Sequence, residues 1–292
     1  MSKNVLITGA SAGFGKLMTA TLIDAGHTVI ATMRDPEGRN AENAAEAKAL
    51  GAHVLELDVT RDESVDAAIA TAVDSLGGID VLINNAGTGV IGWQETFTVE
   101  DWKKVFEVNV FGVQRVTRAV IPHMKAKGEG LVIYLSSLLG RVTLPFFGPY
   151  NATKFAVEAM AENYRLELSG AGIESCVIEP GGYGTSFMSA LIQPSDQERI
   201  NSLGEAAGAP MQMVQGFEGN LSGENAPDPQ WIADETLKLV DADHGTRPFR
   251  TVRDGLGMGE PVEAINAAAE ASELAIYQAF QLDGMLEVKT SS

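Results

Sequence analysis

The chain has 292 residues, of which 45% are hydrophobic and 21% charged, enough to bury a large core in one or two domains. Lys and Arg number 21 against 39 Asp and Glu, a formal charge of −18; that balance repels polyphosphates, argues against nucleic-acid binding and favours solubility. Cys176 is the single cysteine, so no intrachain disulfide forms, and no run of residues has the length of a membrane span or the layout of a signal peptide, so a soluble cytoplasmic protein without a membrane partner is expected.

Residues 3–8 read as a short apolar strand that enters the turn Thr8-Gly9-Ala10-Ser11-Ala12-Gly13-Phe14-Gly15 and then a helix closed by Gly26. Strands follow at 28–33 and 54–57, with helices at 40–50 and 62–76. In the second of these helices Val65, Ile69, Ala72, Val73 and Leu76 recur at helical spacing, and Thr60 with Glu63 forms an expected capping box. Next come a strand at 79–84, a long helix over 99–125 begun near Thr98, a strand at 130–136, a helix at 150–169 and a strand at 173–178 that packs the Cys176 thiol. After Pro180 the composition shifts: 186–230 is rich in Gly, Pro, Ser, Asn and Gln, and reads as a mobile lid with short helices, disorder being the competing reading. A helix at 228–240, a strand at 249–252 and a terminal helix at 263–282, within an extension over 255–292, complete the chain.

Nearly all-apolar strands alternating with amphipathic helices predict an α/β, doubly wound (Rossmann-type), mostly parallel sheet with helices on both faces, in a single domain over 1–292. Gly9, Gly13 and Gly15 between a strand and a helix suit a pyrophosphate, because glycine permits positive φ and close backbone approach while the helix N-terminus offers free N–H groups. Tyr150 and Lys154, four residues apart on a helix, stack on one face, and an ammonium beside a phenol favours the phenolate. Ser137, thirteen residues before Tyr150, supplies a hydroxyl for a carbonyl oxygen; Ser136 competes for that role and the spacing favours Ser137. Together these groups point to hydride transfer between a nicotinamide and a carbonyl or alcohol. His27, His53, His123 and His244 lie far apart without ligand spacing, so no metal site is expected.

The T-G-x-x-x-G-x-G turn, Asn84-Asn85-Ala86-Gly87, Ser137, the Tyr150/Lys154 pair and Pro180-Gly181 occur in that order, and in this the chain resembles the classical short-chain dehydrogenases/reductases over roughly residues 3–185. The resemblance implies a catalytic set of Asn109, Ser137, Tyr150 and Lys154. Tyr150 then exchanges the proton, Lys154 holds the nicotinamide ribose and lowers the tyrosine pKa, and Ser137 binds the substrate oxygen. Asn109 keeps a water through its backbone. It also implies cofactor contacts from Gly9, Ser11, Gly13, Phe14 and Gly15, from Asp58 and the Val59 backbone at the adenine, and from Asn85, Ala86 and Gly87 at the adenosine ribose. Pro180, Gly181, Tyr183 and Thr185 would wrap the nicotinamide, although Gly182, Tyr183 and Gly184 depart from the usual pattern.

The second strand ends Ala31-Thr32-Met33-Arg34-Asp35. A missing carboxylate followed by Arg34 favours NADP(H) over NAD(H), with Ser11 in reach of the phosphate, unless Asp35 pairs with Arg34. The same run resembles the branch that includes steroid and retinoid dehydrogenases. Val90, Ile91, Trp93, Leu138, Leu139, Val142, Leu144, Phe146, Phe147, Tyr183, Phe187, Met188 and Leu191 are the expected walls of an apolar pocket for a hydrophobic ketone, aldehyde or secondary alcohol. The resemblance further implies a homodimer or homotetramer built on the long helix and the Tyr150 helix. A cofactor-binding redox sensor without turnover is the rival reading.

Overall fold

A computed structural model describes residues 1–223 and 225–290. In chain order the elements are β1 (Asn4–Ile7), α1 (Gly13–Asp24), β2 (Thr28–Met33), α2 (Ala41–Ala49), β3 (His53–Glu56), α3 (Asp62–Leu76), β4 (Val81–Asn84), α4 (Val99–Phe106), α5 (Gly112–Lys127), β5 (Gly130–Leu135), α6 (Gly148–Ser169), β6 (Ile173–Pro180), α7 (Ser186–Ser189), α8 (Gln197–Ser202), α9 (Ala209–Leu221), α10 (Gln230–Asp241), β7 (Arg250–Arg253) and α11 (Gly259–Ala279). The strands form one seven-stranded sheet in the order β3-β2-β1-β4-β5-β6-β7, parallel throughout.

The all-apolar strands follow from burial on both faces. Leu6, Leu82, Val132, Tyr134 and Val177 pack with residues of α3, α5 and α6 on one side. Their neighbours Val5, Ile7, Val81, Ile83, Leu131, Ile133, Cys176 and Ile178 pack with α1, α2 and α10 on the other. Burial also pushes the Cys176 thiol up to about 12, which leaves it an inert packing group. Strand order reverses between β1 and β4, and the carboxyl ends of the strands open a crevice there, as doubly wound sheets do.

Most boundaries agree with the sequence reading within one or two residues, the usual scatter of element ends. The long helix does not run unbroken. One π turn, Glu107–Phe111, separates α4 from α5 and carries Asn109. The expected capping box at Thr60 is absent because the Thr60 hydroxyl and N–H both donate to Asp58 Oδ1, at 2.8 and 3.0 Å, and α3 starts after Arg61 with no side-chain cap. A capping box forms instead at Thr98 and Asp101. Burial works against the Asp101 carboxylate, but hydrogen bonds from Ser195 and Thr98 hold it at about 2. The Ser195 bonds tie that residue to α4. Residues 186–221 contain three α-helices and a 3-10 turn at Gly204–Gly208, and a parallel bridge between Val90 and Ile192 pins their first part. The strand containing Cys176 continues to Pro180, and the terminal helix begins earlier than expected, at Gly259.

At the β6–β7 seam, burial and the neighbouring Glu158 charge push the Glu179 carboxyl up to about 7. A carboxyl whose pKa is raised by folding favours the native state fully below its unfolded value, near 4.5. That contribution is lost as pH rises through 7. Glu179→Gln removes the ionisation and keeps an acceptor for Asn266. Urea unfolding should therefore find the variant more stable than wild type by about 1–3 kcal/mol at pH 8.5, with little difference near pH 4.5.

Candidate active site

The glycine turn is built for close approach. Gly9 and Gly13 sit at φ +69° and +53°, in the left-handed region that glycine alone enters freely. A Cβ on Gly9 would lie 2.9 Å from Ala86 Cα, so the turns after β1 and β4 touch backbone to backbone. Thr8 and Asn85 stitch that contact. Thr8 Oγ1 accepts from the N–H groups of Asn85 and Ala86, both at 3.0 Å, and Asn85 Nδ2 donates to the Thr8 and Gly9 carbonyls at 2.8 and 3.1 Å. The Asn85 side chain is thus committed to the scaffold. Gly15 stands behind the crevice wall rather than in it, where a Cβ would overlap the Gly9 carbonyl and come 2.7 Å from Asn85 Nδ2 and 2.9 Å from Ala10 Cα. Backbone on two sides cannot yield, so Gly15→Ala should lower stability by about 1–3 kcal/mol, read as a fall in thermal midpoint.

A cleft of about 590 Å³ runs from this turn to the ends of β5 and β6. One end is lined by Gly9, Ser11, Gly13, Phe14, Arg34, Asp58, Val59, Asn85, Ala86 and Gly87, all named from the sequence. Arg39 and Asn40 join them and were missed. The only available signal was their place in the turn that follows Arg34. Asp35 does not pair with Arg34. Its φ is +49° and its carboxylate accepts the Arg39 N–H at 2.9 Å, closing that turn. Asp58 is shaped by Thr60: burial would raise its pKa, and the Thr60 hydrogen bonds with the Arg34 and Arg61 charges lower it below the ordinary aspartate value.

These residues fit a nicotinamide dinucleotide. α1 opens with no capping side chain and no acidic residue in its first turn, so its N–H groups and dipole are free for a phosphate. The two left-handed glycines keep side chains out of that space.

At the other end of the cleft Ser137, Tyr150, Lys154, Pro180, Gly181, Tyr183 and Thr185 come together. β5 delivers the serines with opposite orientations. Ser137 Oγ accepts from Leu139 N at 3.1 Å and lies on the side of the Tyr150 phenol, whereas Ser136 lies against Glu158. Tyr150 and Lys154 are each 8% exposed. Lys154 Nζ donates to the Leu135 carbonyl at 2.7 Å and lies 5.5 Å from the Tyr150 ring centre.

The expected depression of the tyrosine pKa is not found in the protein alone. Burial pushes the Tyr150 phenol upward despite the Ser137 hydroxyl on its side. Burial also pulls Lys154 down to about 8, opposed by the field of Glu158. Desolvation outweighs the attraction of two groups at this separation.

Asn109 does not line the cleft. From the π turn its Nδ2 donates to the Thr88 carbonyl at 2.8 Å and to Thr153 Oγ1 at 3.1 Å, and its Oδ1 accepts from Thr88 N at 2.8 Å. The amide clamps the loop after β4 to the helix turn between Tyr150 and Lys154. Tyr183 turns its ring into the core, 5.4 Å from Phe14, and its hydroxyl donates to the Arg253 carbonyl at 3.0 Å. Thr185 caps α7 and packs over Gly13.

Of the expected pocket walls, Leu138, Leu139, Val142, Leu144, Phe147, Phe187 and Met188 face the cleft, while Tyr183 only borders it, its ring being packed in the core. Val90, Ile91, Trp93, Phe146 and Leu191 do not face it. Val90 and Ile91 are buried in a cluster behind Phe147 and Tyr150, Trp93 stacks edge-on against Phe146 at 4.9 Å, and Leu191 packs on Gly89. Phe217 and Leu221 of α9, with Leu256 and Met258 after β7, supply the opposite wall. Their apolar spacing alone did not distinguish them from core residues.

The chain belongs to the short-chain dehydrogenases: the short chain dehydrogenase family matches residues 3–196. The uncharacterized oxidoreductase YusZ of Bacillus subtilis is 35% identical over 270 residues, 89% of this chain and 91% of that protein. Human retinol dehydrogenase 8 is 35% identical over 195 residues, 65% of this chain and 62% of its own length, in keeping with the steroid and retinoid branch. A short-chain dehydrogenase from Streptomyces avermitilis has the same fold, with a TM-score of 0.75, 29% identity and coverage of 96% and 97% of the two chains. Solved neighbours hold either cofactor. A 3-ketoacyl-(acyl-carrier-protein) reductase from Brucella melitensis carries NADH, at 26% identity, TM-score 0.71 and 86% and 96% coverage. An actinorhodin polyketide ketoreductase carries NADPH, at 25% identity, TM-score 0.72 and 87% and 95% coverage. The protein is thus an oxidoreductase of this family, with a site of the kind that takes NAD(P)(H). Among the described residues no helix is long and apolar enough to cross a membrane.

Proposed function

We propose that the protein is an NADP(H)-dependent carbonyl reductase or alcohol dehydrogenase acting on a hydrophobic ketone, aldehyde or secondary alcohol. The observation that carries this reading is the convergence of Ser137, Tyr150 and Lys154 at the apolar end of a cleft whose other end is an uncapped helix N-terminus. When bound, the dinucleotide supplies the hydride for reduction or accepts it in oxidation. Ser137 holds the substrate oxygen. Tyr150 gives that oxygen a proton in reduction and removes it in oxidation. Lys154 fixes the ribose and offsets negative charge at the phenol. Asn109 positions the Thr88 loop, and its π turn breaks the regular backbone ladder, which favours the water contact that completes a relay to Lys154.

Arg34 and Arg39 favour the 2′-phosphate, and Asp58 with the Val59 backbone receives the adenine. Among the described residues the substrate end carries no charged side chain besides Lys154, which suits an uncharged substrate. The whole chain acts as one catalytic domain, with 186–230 as its lid and 255–292 as a C-terminal extension. Phe111 and Phe155, 51% and 42% exposed beside α5 and on α6, support a homodimer or homotetramer through those helices. One buried, unreactive thiol suits a cytoplasmic setting. The test is nicotinamide absorbance against a panel of apolar ketones, aldehydes and secondary alcohols with both cofactors. NADPH-dependent turnover is expected, and tight binding without turnover would replace this reading with that of a redox sensor.

A further inference from the structure

Behind the reacting end lies a second group of ionisable side chains that the proton chemistry leaves unused. Glu158 follows Lys154 by one helical turn on α6 and so shares its face. It is 2% exposed, and Glu179 on β6 is 0% exposed. Arg250 of β7 reaches both: its Nε is 3.1 Å from Glu158 Oε2 and 3.6 Å from Glu179 Oε1, and its Nη2 is 3.4 Å from Glu162 Oε2. From α11, Asn266 donates to Glu179 Oε2 at 2.6 Å, and Glu273 and Tyr277 face Glu162 and Arg250. Arg141, from the turn after β5, adds its charge to Glu158, Glu179 and Glu273. Four carboxyls thus face two guanidiniums, and Lys154 is the third cation beside them.

Ser136 joins this group from the active-site strand. A Cβ at Gly140 would lie 2.7 Å from Ser136 Oγ, 2.9 Å from Glu158 Cγ and 3.2 Å from the Lys154 carbonyl, so serine, carboxyl and lysine turn pack around one point. Glu158 Oε1 is buried with no hydrogen-bond partner among the described residues. The second oxygen of this carboxyl is therefore not consumed by Arg250.

We infer that Glu158 is a positioning residue for Lys154: it is the fixed anion that keeps the buried ammonium charged and seated on the Leu135 carbonyl. The inference rests on the proposed role of Lys154. A buried ammonium without an anion discharges. Burial draws Lys154 down to about 8, and Glu158 is the charge that opposes this. Burial also pushes Glu158 upward, while Ser136, Arg250 and Arg141 favour its charged form. The Arg250 contact is what keeps a carboxylate available there.

The experiment titrates Lys154 in the full chain by NMR of isotope-labelled lysine side chains, its signal assigned by loss in Lys154→Arg, and so needs no substrate. In wild type the midpoint is expected near 8, and in Glu158→Gln lower by about one unit. Glu158→Asp keeps the charge at a shorter reach and should fall between them; it also serves if the glutamine variant does not fold. Where turnover is found, the alkaline limb of kcat in Glu158→Gln should move down by the same interval, with KM for the carbonyl unchanged. An unmoved Lys154 midpoint in a folded Glu158→Gln overturns the inference and leaves Glu158 as a partner of Arg250 only. A shifted midpoint in a protein that reduces no carbonyl sustains the inference and overturns the proposed function instead.

Discussion

Tyr150→Phe should reduce turnover about 10³-fold while leaving cofactor affinity within about twofold, because a positioned general acid contributes roughly 10²–10⁴. The ring is part of the apolar cluster with Val90, Phe97, Phe147 and Val214, and packs 5.5 Å from Phe187. Phenylalanine preserves that packing, so a loss of rate cannot be assigned to unfolding. Only the hydroxyl is removed. Single-turnover absorbance with saturating NADPH gives the rate, and quenching of protein fluorescence by the cofactor gives the affinity. Turnover equal to wild type would sink the assignment of Tyr150. The direction of the pKa adds a condition. Burial keeps the proton on the phenol, so the donor that reduction needs is present throughout the neutral range. Oxidation needs the phenolate and should rise with pH.

That condition marks a limit of what the sequence carried. The spacing of Tyr150 and Lys154 located the pair, the helix and the face correctly. Spacing holds no information on desolvation, which is set by what α9, the 138–147 segment and β6 bury around the pair, and desolvation sets the sign of both shifts. Ser137 was legible for the same reason as the pair, through its thirteen-residue spacing from Tyr150. The parallel sheet was legible because doubly covered strands have no polar face. Asn109 was legible through the family resemblance, but the π turn that carries it was not. It depends on a clamp to Thr88 and Thr153, two residues remote in sequence. The Thr60 capping box failed because Asp58, two residues earlier, accepts the Thr60 N–H that the Glu63 side chain would have accepted. Phe217, Leu221, Leu256 and Met258 were lost among other apolar residues because their role depends on how the segments after β6 and β7 fold back. The family match and the alignment to retinol dehydrogenase 8 both leave much of that part of the chain uncovered.

Removing both guanidiniums, Arg34→Ala with Arg39→Ala, should lower kcat/KM for NADPH about 30- to 100-fold and change that for NADH by less than about threefold. The argument is electrostatic. A phosphate bound by two arginines gains charge-assisted hydrogen bonds of about 1.5–3 kcal/mol each. Both side chains are exposed at the rim, so solvent screening reduces the pair to about 2–3 kcal/mol together. The rest of the molecule works against a polyanion, with a formal charge of −18, which makes the local cations decisive for a dinucleotide that carries an additional phosphate. NADH lacks that phosphate and relies on the uncapped start of α1 and on Asp58, which the substitutions do not touch. Asp35 does not neutralise Arg34, since its carboxylate is engaged by the Arg39 N–H, a backbone bond that survives the change to alanine. Raising the ionic strength should shrink the wild-type preference for NADPH and leave the double variant unaffected. Equal losses with the two cofactors would mean that the arginines only shape the turn after β2. No loss with either would move the cofactor preference to NAD(H) and leave Ser11 and the α1 N-terminus as the whole of the phosphate site.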